Sequence, residues 1–261
     1  MIHYICKYTP VEILEGFGET ALYNPMFENF DLADGLIHRN VCSFSKAIIT
    51  GRSIEASKPL ILTDCCDSIR RTYDILKRLG QDVLMIYLPR KKDDKGIALY
   101  KREVVNLIKE LEKRTKREFQ YDKFLSAFKD TSSYKSPYLA VMGARIGDEL
   151  MERILDLSPL PIKNNTCTGL RRIRKPPCEG DFNQLIHWYV EELLSQTPCI
   201  RMDKIVQRKK LIEDPNLIGI IYNTVKFCDY YSFEYAAIRD RFNVPIVKIE
   251  SDYTSQASGQ I

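Results

Sequence analysis

The stretch Leu60-Ile-Leu-Thr-Asp-Cys-Cys-Asp-Ser-Ile-Arg-Arg-Thr-Tyr-Asp-Ile-Leu-Lys-Arg-Leu79, followed three residues later by Val83-Leu-Met-Ile-Tyr-Leu88, decides the fold. Leu60–Asp64, which opens on three consecutive apolar residues, and Val83–Leu88 are continuous rather than alternating runs, the pattern of strands covered on both faces. Ser68–Leu79 between them carries apolar residues at helical spacing. Strand, helix and strand in this order make a parallel pair with a crossover helix. Asp67, directly after the first run, reads as the helix N-cap.

The same unit recurs outward along the chain. Ile2–Cys6, Tyr138–Gly143, Pro161–Asn165, Leu217–Tyr222 and Ile246–Glu250 read as further buried strands, and Ile97–Lys113 as an amphipathic helix. Ser43–Thr50 reads as a helix preceded by Cys42, and Asp229 as a second N-cap just after Cys228. Arg90–Gly96 reads as a solvated turn, and Lys129–Pro137 as the junction between two α/β halves, 1–134 and 135–261. The fold class is therefore α/β, with two parallel sheets and no obvious internal repeat in the sequence.

Composition excludes several functions. The 261 residues are 44% hydrophobic and 28% charged, a globular balance. Apolar runs of about six residues fall far short of the roughly 20 needed to cross a bilayer. The opening Met1-Ile-His-Tyr-Ile-Cys-Lys lacks the pattern of a secretory leader, so the chain reads as cytoplasmic, without a membrane association. Thirty-nine basic against 35 acidic residues give +4, too small a surplus to point to nucleic acid.

Chemistry concentrates in eight cysteines: Cys6, Cys42, Cys65, Cys66, Cys167, Cys178, Cys199 and Cys228. No C-x-x-C occurs, which removes zinc ribbons and thioredoxin-like sites, so any site must be assembled by the fold. Taken singly, each reads as an inert buried thiol. Taken together, most stand at strand ends or before helix N-termini, where ligands gather in parallel sheets and where the helix dipole favours thiolate. Thiolate-only ligation points to iron–sulfur or zinc. Cys178 lies off this pattern, and the adjacent Cys65 and Cys66 should point apart. His3, His38 and His187 form no triad-like pairing and read as structural. Gly16-x-Gly18 is no dinucleotide fingerprint, no Walker A sequence occurs, and Arg171, Arg172, Arg174 and Lys175 read as a solvated basic face.

The cysteine contexts carry a resemblance. Tyr4-Ile-Cys-Lys-Tyr-Thr-Pro10, Asn40-Val-Cys-Ser-Phe44, Thr63-Asp-Cys-Cys-Asp67, Cys167-Thr-Gly-Leu-Arg171, Pro198-Cys-Ile-Arg201, Val225-Lys-Phe-Cys-Asp229 and Ile249-Glu-Ser-Asp-Tyr253 resemble the 2-hydroxyacyl-CoA dehydratase and benzoyl-CoA reductase family almost end to end. The resemblance implies two Rossmann-like domains with an iron–sulfur cluster in the cleft between them. By the same resemblance, Cys42, Cys66 and Cys228 match the ligands of one [4Fe–4S] cubane, and Cys6, Cys167 and Cys199 form a second set. Six such cysteines most resemble the double-cubane subgroup, whose [8Fe–9S] cluster sits in each subunit of a homodimer. The choice between Cys65 and Cys66 stays open, the Cys-Asp pairing favouring Cys66. The family further implies an ATP-hydrolysing [4Fe–4S] activase as electron donor and a small-molecule substrate. A dehydratase-type subunit with a single [4Fe–4S] cluster and a non-enzymatic cluster carrier are the alternatives. Family members usually continue past Gly259-Gln260, so a final helix is expected to be missing.

Overall fold

The computed structural model describes residues 1–55, 57–128, 136–169, 171–176, 180–196, 199–202 and 213–255. Most of the expected junction, residues 129–135, and Cys178 and Gly259-Gln260 lie outside the described residues.

Two four-stranded parallel sheets organise the chain. The first contains β1 (Ile2–Tyr4), β2 (Thr20–Leu22), β3 (Leu60–Thr63) and β4 (Val83–Ile86), in the order β2-β1-β3-β4. The second contains β5 (Tyr138–Gly143), β6 (Ile162–Thr166), β7 (Leu217–Val225) and β8 (Ile246–Ser251), in the order β6-β5-β7-β8. The two orders are the same, so the halves repeat in topology although no repeat is visible in sequence. In each sheet the direction of winding reverses between the first and third strands, β1 and β3 or β5 and β7. The ends of those strands flank the crevice where parallel sheets bind ligands.

Helices cover the sheets: α1 (Val11–Glu15), α2 (Asp31–Asp34), α3 (Ser43–Ile54), α4 (Asp67–Arg78), α5 (Asp94–Thr115), α6 (Tyr121–Ser126), α7 (Asp148–Leu157), α8 (Phe182–Leu194) and α9 (Asp229–Ile238). The side-chain period of two explains the unbroken apolar strands. In β3, Ile61 joins a core with Tyr100, Val104 and Ile108 of α5, whereas Leu60 and Leu62 point into the opposite core with Ile48 of α3 and Leu76 of α4. The second core runs on to Met142 of β5 and Tyr222 of β7, so one apolar mass joins the two sheets. The first core also takes in Ile186, Tyr189 and Leu193 of α8, which packs against α5 even though it lies in the later half of the chain. Tyr189 meets Phe124 of α6 edge-on at 5.4 Å.

Asp67 and Asp229 are not the caps that their positions suggested. They are the first residues inside α4 and α9, and the cap positions belong to Cys66 and Cys228; Cys42 caps α3 in the same way. A carboxylate after a strand and a cysteine one residue earlier fit the same sequence pattern, and only the helix register separates them.

Candidate functional site

One cavity gathers Cys6, Cys42, Cys65, Cys66, Cys167, Cys199 and Cys228, seven of the eight cysteines, on its wall. It encloses about 740 Å3 free of protein atoms, counting its open mouth. Apart from the sulfurs the lining is mainly apolar, with Ile5, Phe44, Ile69, Ala144, Ile200 and Val225, and two guanidinium groups, Arg145 and Arg201.

Strand ends and helix starts deliver the sulfurs. Cys6 follows β1, and Cys65 and Cys66 follow β3; these flank the reversal point of the first sheet. Cys228 follows β7 and Arg145 follows β5 at the corresponding point of the second. Cys167 follows β6, where its N–H donates to the Gly143 carbonyl at 3.0 Å. Gly143 is required there: its φ is +93°, and a Cβ would stand 2.2 Å from the Asn223 carbonyl oxygen. Cys42 is brought across by the Ser43 N–H, which donates to the Lys226 carbonyl at 3.1 Å, two residues before Cys228. Phe227 between them has a left-handed φ of 62°, an uncommon conformation for a non-glycine residue that turns the chain from β7 into α9.

The thiols fall into neighbouring groups. Cys228 and Cys42 are hydrogen-bonded, and that bond, followed by burial, pushes the Cys228 thiol well above its ordinary range, with Cys66 close enough to add to it. Burial pushes Cys6 up to about 12, with the Cys199 and Cys167 sulfurs contributing. Burial likewise raises Cys167 to about 11, against the opposing charge of Arg145. Cys65 and Cys66 do not point apart. The Cys65 thiol donates to Cys66 and is itself held well above its ordinary range. That bond and the backbone N–H groups of Ile69 and Ser68 hold Cys66 below its own. An extended stretch entering a helix cap lets adjacent side chains converge, where a continuing strand would have sent them to opposite faces.

Other expectations resolve differently. Arg171 is not part of a solvated face: it is drawn inward against Glu12 of α1 and the Lys7 carbonyl, and Tyr189 donates to the same Glu12 at 2.7 Å. Arg174 turns onto Glu192 of α8. His3 stacks on Tyr23 at 5.0 Å, and His187 faces Glu191 one helical turn on, so neither reaches the cavity. Sequence reasoning missed Arg145, which no motif marks; its place after a buried strand end was the only signal.

Among the described residues no three His, Cys, Asp or Glu side chains are disposed to hold a single metal ion. The cysteines instead line the wall of one cavity, some of them in hydrogen-bonded pairs. That arrangement suits a polynuclear group in which different metal atoms each take a thiolate, and the all-sulfur donor set suits iron–sulfur chemistry. The geometry thus defines a two-sheet α/β protein with a thiol-lined cavity at paired strand ends. A family model, the D-component of 2-hydroxyglutaryl-CoA dehydratase, matches residues 6–160 and 139–261, and the chain belongs to that family. No curated protein matches the chain. No helix among the described residues is long and apolar enough to cross a membrane.

Proposed function

We propose that the cavity holds a double-cubane [8Fe–9S] cluster, with Cys42, Cys66 and Cys228 as one set of ligands and Cys6, Cys167 and Cys199 as the other. In this reading the chain is a cytoplasmic reductase of two Rossmann-like domains, 1–134 and 135–261, working as a homodimer. It takes low-potential electrons from an ATP-hydrolysing [4Fe–4S] activase and passes them to a small-molecule acceptor. The observation that carries the reading is the seven thiols, drawn from both halves, on one cavity wall. When bound, such a cluster supplies one-electron transfer at the low end of the iron–sulfur range.

The chain's own groups are suited to this work. The apolar lining keeps water from the sulfurs, and the N-terminal ends of α3, α4 and α9 present positive dipole ends toward Cys42, Cys66 and Cys228. Cys65 donates a hydrogen bond to Cys66 and so is assigned a supporting place beside the ligand. In this reading nucleotide hydrolysis falls to the partner, with which the lack of a Walker A sequence in the chain accords.

The second reading, a dehydratase-type subunit with one [4Fe–4S] cluster on Cys42, Cys66 and Cys228, is favoured by one feature: these three cysteines alone share the helix-cap position among the described elements. Iron and acid-labile sulfide per chain after anaerobic purification separate the two. Roughly eight irons support the double cubane, roughly four support the single cluster, and zinc overturns both. Acceptor reduction assayed with chain, activase, ATP and reductant, each omitted in turn, tests the electron route. Full activity without activase and ATP would overturn it.

A further inference from the structure

Arg145 is 3% exposed and sits on the wall of the thiol-lined cavity. Its Nη1 donates to the Ile5 carbonyl at 3.1 Å, immediately before Cys6, and its Nη2 to the Tyr23 carbonyl at 2.7 Å. The guanidinium carbon lies 4.0 Å from the centroid of Phe44, two residues after Cys42. Its own backbone is held as firmly: the Arg145 carbonyl accepts from Asn223 Nδ2 at 2.9 Å and from the Tyr253 hydroxyl at 3.2 Å. The group is thus fixed from both sheets at once.

Its charge, by contrast, is uncompensated. No carboxylate forms an ion pair with Arg145 among the described residues, and its buried Nε–H has no hydrogen-bond partner. Neutral carbonyls and an aromatic ring solvate a cation only in part, and a buried charge without a counter-charge is unfavourable. Two other inward-facing cations have anions: Lys46 pairs with Asp34 at 2.7 Å, and Arg171 with Glu12. What Arg145 shares a wall with is the cavity, lined by the seven cysteines.

We infer that Arg145 is the internal counter-cation of the cavity's anionic occupant, setting both the hold on that occupant and the potential at which it accepts an electron. The inference rests on the cluster reading above. Each electron added to a thiolate-ligated cluster increases negative charge in a poorly solvated cavity, and a fixed cation beside it stabilises the reduced form more than the oxidised one. Removing the cation therefore lowers the midpoint potential and loosens the occupant.

The test uses the full chain, loaded with iron and sulfide anaerobically, with Arg145→Met, Arg145→Gln and Arg145→Lys. Arg71→Gln, which removes an exposed charge paired with Asp74, is the control. Electron paramagnetic resonance during a redox titration gives the potential, and the rate of iron loss to a chelator gives the hold. In Arg145→Met and Arg145→Gln the ratio of reduced to oxidised cluster at a fixed solution potential should fall about tenfold, a shift of about 59 mV for one electron. Iron loss should quicken, whereas Arg145→Lys and Arg71→Gln should stay near the parent in potential. If the methionine variant does not fold, as judged by circular dichroism, the glutamine and lysine pair still decides. A loaded parent with the same potential in the neutral variants overturns the role of Arg145 and leaves the cluster standing. A parent that takes up no iron and sulfide overturns the cluster itself, and the inference falls with it.

Discussion

Two adjacent cysteines show how much one residue's surroundings decide. Cys66 accepts hydrogen bonds from the Cys65 thiol and two backbone N–H groups, whereas Cys65 donates its S–H and is held as a neutral thiol. A metal ligand must be deprotonated, so under the proposed ligand set the difference in surroundings would become a difference in ligation. Cys66→Ser should lower iron per chain sharply, and Cys65→Ser should keep the iron while broadening the spectrum; equal iron loss from both would reverse the assignment. His3 illustrates the same principle in stability. Burial first, then the charges of Lys58 and Arg52, hold its imidazole below the ordinary range. The unfolded chain then binds the proton more readily, so the contribution is intact above about pH 6.5 and is lost as pH falls through that value toward the lower folded one. Chemical denaturation of His3→Gln against the parent at pH 8 and pH 5 should show a smaller acid-side loss in the variant.

At the scale of elements, the turns after strands do the positioning, and they are where sequence is hardest to read. Runs such as Leu60–Thr63 and Tyr138–Gly143 announce themselves because both faces are buried and apolar residues follow one another without alternation. β2, Thr20–Leu22, does not: it is a three-residue edge strand, too short for a pattern. The cysteines were legible as a group because strand ends and helix starts could be placed to within a residue or two. Their pairing was not, since it depends on bonds such as Ser43 to Lys226 between segments far apart in the chain. Arg145 was invisible for the same reason. Gly143 is the most exacting of these turn residues, with backbone atoms on the side a Cβ would occupy. Gly143→Ala should destabilise the chain by more than about 1 kcal/mol, because a positive φ is strained for alanine and the Asn223 carbonyl belongs to a neighbouring strand. A urea midpoint unchanged from the parent would show that β5 and β7 can separate at that end without cost.

The whole molecule is two sheets of the same strand order whose corresponding ends meet over one cavity. Cys6, Cys42, Cys65 and Cys66 come from the segments of the first sheet, and Cys167, Cys199 and Cys228 from those of the second half of the chain, so an occupant bound to the full set ties the halves together. The folded chain presents this array and the unfolded chain does not. Binding free energy therefore adds to folding free energy, in proportion to the logarithm of occupant concentration over its dissociation constant. Removal of iron and sulfide under anaerobic chelation should lower the Tm, and reconstitution should restore it. For a group held about 100-fold below the working concentration the difference corresponds to roughly 2.7 kcal/mol. The Cys66→Ser chain should show a smaller difference between loaded and stripped forms than the parent, since fewer sulfurs span the cavity. Equal melting of loaded and stripped parent would mean that the shared core from Leu62 to Met142 and Tyr222 holds the halves together unaided, with the cavity's contents contributing chemistry alone.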